Sequence, residues 1–351
     1  MPAPHPAILP EASAGPAADR AFFGNIQILR VISAFAILFV HLEAMFRIFG
    51  DPTRVVNVLR FGTDLFVIVA GFLSAHLLSG GRRSSGSYLV GRLIRIWPLY
   101  AIFTLLGFVC QHYLMHNHPV EWWQIPLDLS FIPYGVSPIL YQTWTLELIM
   151  ACSLVLAGCL LVSRHPVELA AAVIVGMVLA GLYYHPASPF LAFYADPAFL
   201  DFALGVLIFR LPRGRPVSAF AAICVGFVLI IVRPWDFPDV PRFIALSLPV
   251  GGLVWGVISL DTGRRRPFVE WIAKATYGIY LIHWFADATA VKLVRDSGSP
   301  WLAGVLIVAV PVAVTVAALL VHAFVEDPIT RRLTGSLDKA RLKGRGSPLP
   351  G

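Results

Sequence analysis

The chain of 351 residues is 58% hydrophobic and only 13% charged, with a mean hydropathy of +0.76. A soluble fold of this length needs far more charge to cover its surface, which argues against soluble nucleic-acid-binding and secreted disulfide-framework classes and for an integral membrane protein. The net charge of +7 reflects an uneven placement of Lys and Arg across a bilayer rather than a nucleic-acid footprint.

Residues 1–22 are rich in Pro and Ala, have no basic stretch followed by an apolar core, and carry Pro2 where N-myristoylation needs Gly. They are expected to form a disordered cytoplasmic segment. From residue 23 onward, apolar runs long enough to cross a hydrocarbon layer of about 30 Å recur to residue 325. Ten are expected, at 23–46, 55–79, 90–114, 144–162, 167–184, 190–209, 217–232, 242–260, 268–291 and 301–325, the sixth interrupted by Asp196, Pro197 and Asp201. The expected fold class is all-α, a multi-pass membrane bundle of about ten helices over 23–328. The tail, 329–351, is basic, contains Gly, Ser and Pro, and shows no apolar periodicity. It is expected to be a disordered end touching lipid headgroups. Cys110, Cys152, Cys159 and Cys224 lie in apolar runs without a CxxC pair or a His at metal spacing. They read as packing residues, and no metal site is expected.

One set of loops holds Arg82, Arg83, Arg164, Arg210, Arg213, Arg215, Arg264, Arg265 and Arg266 together with the basic tail. The opposite loops and adjoining helix ends carry Arg47, Arg54, Arg60, Arg233, Arg242, Lys292 and Arg295, and the longest, 115–143, contains no Lys or Arg. The positive-inside rule places the first set, and both termini, in the cytoplasm.

Ionisable groups at membrane depth carry the functional signal, since each costs about 2.5 to 3.5 kcal/mol on insertion scales. Arg30 and His41 in the first run are eleven residues apart, which at 100° per residue leaves them within about 20° of one face and about 16 Å apart. The alternative is an Arg snorkelling to headgroups and a His satisfied by a neighbouring helix. Asp64 in FGTDLFVIVAGF, Glu147 in QTWTLE and His283 in YGIYLIHWF all fall close to the depth of His41, where a carboxylate suits the orientation of an imidazole. Each alone reads equally as an interhelical hydrogen bond; their shared level favours a functional cluster. In SYLVGRLIRIWPLY, Arg92 and Arg95 stand at i and i+3 on one helix face, ahead of Pro98. They fit a phosphate, or serve as ordinary positive-inside anchors.

Together these segments resemble the integral-membrane acyltransferases of acyltransferase family 3, which include polysaccharide O-acetyltransferases and Nod-factor and macrolide acyltransferases. The resemblance covers almost the whole chain and rests on order and spacing. It is carried by Arg30 and His41 in LRVISAFAILFVH, Asp64 and Gly71 in GTDLFVIVAGF, Arg92, Arg95 and Pro98 in RLIRIWP, Glu147 in WTLE, His283 in YGIYLIH, and Glu326 with Pro328. Two positions depart from the pattern: Ala70 stands where Ser is usual, and Glu147 follows Trp144 by three positions where five is common.

The resemblance implies an O-acyltransferase of the plasma (bacterial inner) membrane. It would move an acyl group, usually acetyl from cytoplasmic acetyl-CoA, to a hydroxyl of a glycan or glycosylated product on the extracytoplasmic side. His41 is then expected as general base, with Asp64, Glu147 and His283 around it, and Arg30, Arg92 and Arg95 at the phosphates of acyl-CoA. Direct transfer and a transient acyl-histidine both remain open. Expected partners are acyl-CoA, a carbohydrate acceptor and membrane lipid, with no nucleic acid. A transporter or flippase of a glycan or lipid-linked precursor is the alternative class, weakened by the lack of an internal repeat between the halves.

Overall fold

The computed structural model describes residues 23–79, 84–115, 120–232 and 241–345; the expectations for residues 1–22, Arg82, Arg83, Arg233 and 346–351 lie outside them. Among the described residues every regular element is helical. The principal helices are α1 (Gly24–His41), α2 (Phe61–Leu78), α3 (Ser85–Val109), α4 (Gln124–Leu129), α5 (Trp144–Val162), α6 (Pro166–Tyr184) and α7 (Pro189–Tyr194). They continue with α8 (Phe199–Arg210), α9 (Pro216–Val232), α10 (Leu248–Ser259), α11 (Pro267–Ser297), α12 (Pro300–Val321) and α13 (Asp327–Arg345).

All ten expected runs fold as helix, and seven segments among the described residues are long and apolar enough to cross a membrane. The other three fall short for different reasons. Pro216–Val232 and Phe243–Ser259 are apolar but shorter. The 31-residue α11 is diluted by Glu270, Lys274, Asp287 and Lys292. The interrupted sixth run is divided into α7 and α8, where Asp196 Oδ1 accepts from the Ala198 N–H at 2.7 Å. That bond satisfies a backbone donor at the start of α8 that no helical carbonyl could reach.

The centre of the bundle is α1 with α2. The apolar side of α1 packs against α2 through Ile26, Leu29, Leu65 and Ile68, and against α11 and α12 through Ala34, Leu38, Ile279 and Val314. α2 meets α8 at backbone contact: a Cβ on Gly71 would overlap the Phe202 carbonyl oxygen, and one on Gly205 the Ile68 carbonyl oxygen. Such small-residue crossings replace the hydrophobic driving force that lipid cannot supply.

The tail departs from expectation. Asp327–Arg345 continues as a helix rather than a disordered end, and its first turns pack beside α3. Ile329, Leu333 and Leu337 recur every fourth residue among charged neighbours, a one-sided helical pattern that the basic composition obscured. Three π-helical turns among the described residues also shape the bundle, Cys110–Met115 after α3, Phe243–Ser247 ahead of α10 and His322–Glu326 ahead of α13.

Candidate active site

α1 presents two polar positions three turns apart. At its C-terminal end the His41 ring stacks on His283 of α11, with centroids 4.9 Å apart and planes 26° apart. Tyr141, in the short turn before α5, places its hydroxyl 2.5 Å from His41 Nδ1 and 3.0 Å from Nε2. His283 Nδ1 lies 3.3 Å from the Ile279 carbonyl oxygen, which only accepts, so Nδ1 carries the proton and Nε2 a lone pair. That Nε2 is buried and has no hydrogen-bond partner. One turn earlier on α11, the Tyr280 hydroxyl donates to the Gln142 carbonyl and meets Thr145 Oγ1 at 2.5 Å, which locks α11 against the start of α5.

Toward the other end of α1, Arg30 donates to Gln27 Oε1 at 2.9 Å and to Thr276 Oγ1 of α11 at 3.0 Å. Since Arg30 meets Thr276 while His41 meets His283, α1 and α11 run parallel. The charged groups facing Arg30 are Arg95 and Glu326. Arg95 lines a crevice with Pro98, Leu99, Glu326 and Thr330, and among the described residues no group is bonded to its guanidinium. Glu326 is paired with His322 Nδ1 at 2.9 Å.

Arg92 has a different setting. It donates to Ser74 Oγ of α2 and, at 3.5 Å, to the Tyr88 hydroxyl. The arginine pair expected to act together is thus divided: Arg95 joins Arg30, and Arg92 ties α3 to α2.

The two carboxylates expected beside the imidazole are elsewhere. Asp64 is fully buried and accepts from Arg242 Nη2 at 2.9 Å and from Ser247 Oγ at 3.2 Å, with Asp201 of α8 adjoining. The cause is the helical period. Phe66, two residues after Asp64 and so on nearly the opposite face of α2, stacks on Tyr280 at 5.3 Å, which turns Asp64 away from the histidines. The π-helical turn brings Arg242 and Ser247, five residues apart, over the same carboxylate. Glu147 is buried with Asp128 as its charged neighbour, and its Oε1 has no partner. Among the described residues neither carboxylate bonds either imidazole, and Tyr141 occupies the orienting place instead.

A family model for the acyltransferase domain matches residues 23–320, which is the bundle from α1 to α12. The chain belongs to this acyltransferase family. It is also 26% identical over 312 residues to the exopolysaccharide production protein ExoZ of Rhizobium meliloti (strain 1021), covering 82% of this chain and 94% of that relative. No solved structure matches. The chain is therefore a membrane acyltransferase. A base must reach an acceptor hydroxyl, and a cationic surface must hold whatever charge the donor carries.

Tyr141, Asp128, Asp201 and Arg242 were not singled out as site residues in the sequence. For Asp201 the signal was present, a carboxylate inside an apolar run, but it had been taken only as an interruption. Tyr141 gives no such signal, because a phenol in a loop perturbs neither hydropathy nor charge.

Proposed function

We propose that this acyltransferase moves an acyl group from cytoplasmic acyl-CoA to a hydroxyl of a polysaccharide or its glycosylated precursor on the extracytoplasmic side, with His41 as general base. The observation that carries the reading is the arrangement along α1: a paired imidazole centre at one end and an arginine centre at the other, about 16 Å away along the axis. The positive-inside bias supports an inner-membrane protein with the arginine end toward the cytoplasm. The likeness to the Rhizobium exopolysaccharide production protein supports a polysaccharide acceptor.

On this reading the nucleotide phosphates of acyl-CoA stop at Arg95 and Arg30, where guanidiniums form charge-assisted bonds to phosphate oxygens. The uncharged pantetheine arm extends between α1 and α11, so no phosphate crosses lipid. With the Nδ1–H of His41 donating a hydrogen bond to the Tyr141 oxygen, its nearer contact, the Nε2 lone pair serves as the base. His41 takes the proton of the acceptor hydroxyl as the oxygen attacks the thioester carbonyl. The tetrahedral intermediate then collapses, the C–S bond breaks, and the same proton passes to the departing thiolate. His283 holds the His41 ring by stacking.

The test is release of CoA from acetyl-CoA by the purified protein in detergent. His41→Ala is expected to lower the transfer rate by about 100-fold or more, the usual loss for a missing general base. Membrane abundance should stay near wild type, because alanine suits a helix well. Retention of more than about a tenth of the wild-type rate removes His41 from the base role.

A further inference from the structure

A second polar enclosure adjoins the histidine pair. Tyr100 and Thr104 of α3, Asp128 of α4, Tyr134 of the following loop, and Thr143 and Glu147 at the start of α5 face one another. Thr104, Asp128 and Glu147 are 0%, 0% and 2% exposed, yet Thr104 Oγ1, Asp128 Oδ1 and Glu147 Oε1 have no hydrogen-bond partner. Buried polar atoms are ordinarily paired, because an unpaired one keeps its full desolvation penalty. Three together in one place describe a site shaped for a polar occupant.

The walls are rigid. The Tyr100 hydroxyl donates to the Asp128 carbonyl at 3.1 Å, and Asp128 Oδ2 accepts from the Ile139 N–H at 2.8 Å, so Oδ1 is held in the enclosure while Oδ2 staples the loop. The Tyr100 ring stacks on Phe131 at 4.8 Å and gives the space an aromatic side. The enclosure is tied to the base through the chain: Thr143 and Glu147 belong to the segment whose Tyr141 touches His41 and whose Thr145 touches Tyr280.

We propose that this enclosure is the acceptor subsite, binding a neutral, hydroxyl-bearing sugar ring and presenting one hydroxyl toward His41. The inference rests on the acyl-transfer reading above and adds its acceptor side. Carboxylates accept from sugar hydroxyls, threonine and tyrosine hydroxyls both donate and accept, and an aromatic wall suits the apolar face of a sugar ring. Two carboxylates without an adjoining cation repel phosphate, which separates this site from the donor end.

Thr104→Val and Asp128→Asn test it. Valine keeps the shape of threonine and removes an unpaired hydroxyl, so a purely structural role predicts an unchanged or higher melting temperature and no kinetic effect. Asparagine keeps the acceptor for the Ile139 N–H. The acceptor probe is the host cell's own exopolysaccharide after alkaline removal of its ester groups, with acetyl-CoA as donor. Both variants are expected to raise KM for the polysaccharide about five- to thirtyfold, with donor KM and acceptor-free hydrolysis of acetyl-CoA unchanged. An unchanged acceptor KM, or an equal rise for both substrates, overturns the subsite. A second measurement needs no turnover: the polysaccharide should raise the melting temperature of the wild type and not that of Thr104→Val. If the wild type consumes no acetyl-CoA but that shift and its loss are seen, the donor assignment fails and the subsite stands. If the wild type turns over and Thr104→Val shows the same shift, the subsite fails alone.

Discussion

Two buried polar clusters lie toward opposite faces of α2, and they differ in how far their hydrogen bonds are satisfied. Around Asp64 both carboxylate oxygens are bonded, to Arg242 and Ser247, and Oδ1 of the adjoining Asp201 is the one unpartnered oxygen. In the histidine pair His283 Nε2 is left unpartnered, and so is Glu147 Oε1 at the start of α5. A satisfied buried network specifies a structure, whereas an unsatisfied one is costly until something occupies it. Burial therefore does not separate a structural cluster from a reactive one; the state of its hydrogen bonds does. The same contrast divides the two arginines of α3, since Arg92 is engaged by Ser74 and Tyr88 while Arg95 borders a narrow crevice with no bonded partner among the described residues.

The sharpest way to break this comparison is to exchange the expected phenotypes. Asp64→Ala leaves Arg242 without its carboxylate and removes a link joining α2 to the turn before α10. Breaking a buried ion pair costs about 3 to 5 kcal/mol, and the low end applies because Arg242 is 41% exposed. The variant should show much lower membrane abundance and a depressed melting temperature, with any surviving protein retaining activity per molecule. An Asp64→Ala protein of normal stability and no activity would place Asp64 in the chemistry and dissolve the distinction. A His41→Ala protein that fails to accumulate would dissolve it from the other side.

Asp128 sharpens the comparison through pH. It lies outside the spanning segments, and burial pushes its carboxyl up from 3.8 to about 6, opposed by the nearby Tyr134 hydroxyl and by the bond from the Ile139 N–H. Between these values the folded protein keeps a proton that the unfolded chain has released. The stability from the neutral carboxyl is fully present below about pH 4 and is lost as pH rises through about 6. A shift of about two units corresponds to at most about 3 kcal/mol. In melting curves taken between about pH 4 and pH 7, wild type should lose stability relative to Asp128→Asn, whose amide does not titrate. Parallel curves for the two proteins would mean that Asp128 is not held in the dry enclosure described above.

The bundle was legible in the sequence because a lipid-spanning helix must be apolar along its length, a constraint strong enough to mark all ten runs and the break at Asp196 and Pro197. His41, His283, Arg30 and Arg95 were legible for a related reason: charge inside an apolar run needs an explanation. Counting residues along an apolar run sets an expected depth, but the partner of a helix face is set by tertiary packing, and so Asp64 was assigned the wrong neighbour. The stacking of Phe66 on Tyr280 decides that orientation, and no periodicity in α2 announces it, since the helix is apolar on all sides. Tyr141 and Asp128 lie in the polar stretch between α3 and α5, where a hydroxyl or carboxylate is unexceptional in composition and only its burial is informative. The tail helix escaped notice because three apolar residues spaced by four are diluted by the charges between them.

The smallest effect, and the most discriminating between the paired and the open arginine, comes from lysine substitution at the two positions. Lysine keeps the positive charge and the orientation signal but loses the planar fork that binds two phosphate oxygens at once. At Arg95 that loss should fall on the donor, with KM for acetyl-CoA rising about five- to thirtyfold, or about 1 to 2 kcal/mol, and KM for the acceptor unmoved. At Arg92 the guanidinium is already engaged by Ser74 and Tyr88, so its replacement should lower the melting temperature and leave donor KM within about twofold of wild type. Measuring both constants and both melting curves gives four numbers. A donor effect at Arg92 equal to that at Arg95 would restore the two arginines to a single phosphate clamp, with Ser74 as a stand-in partner in the absence of substrate. No donor effect at either would return both to the role of membrane anchors and leave Arg30 alone to meet the phosphates.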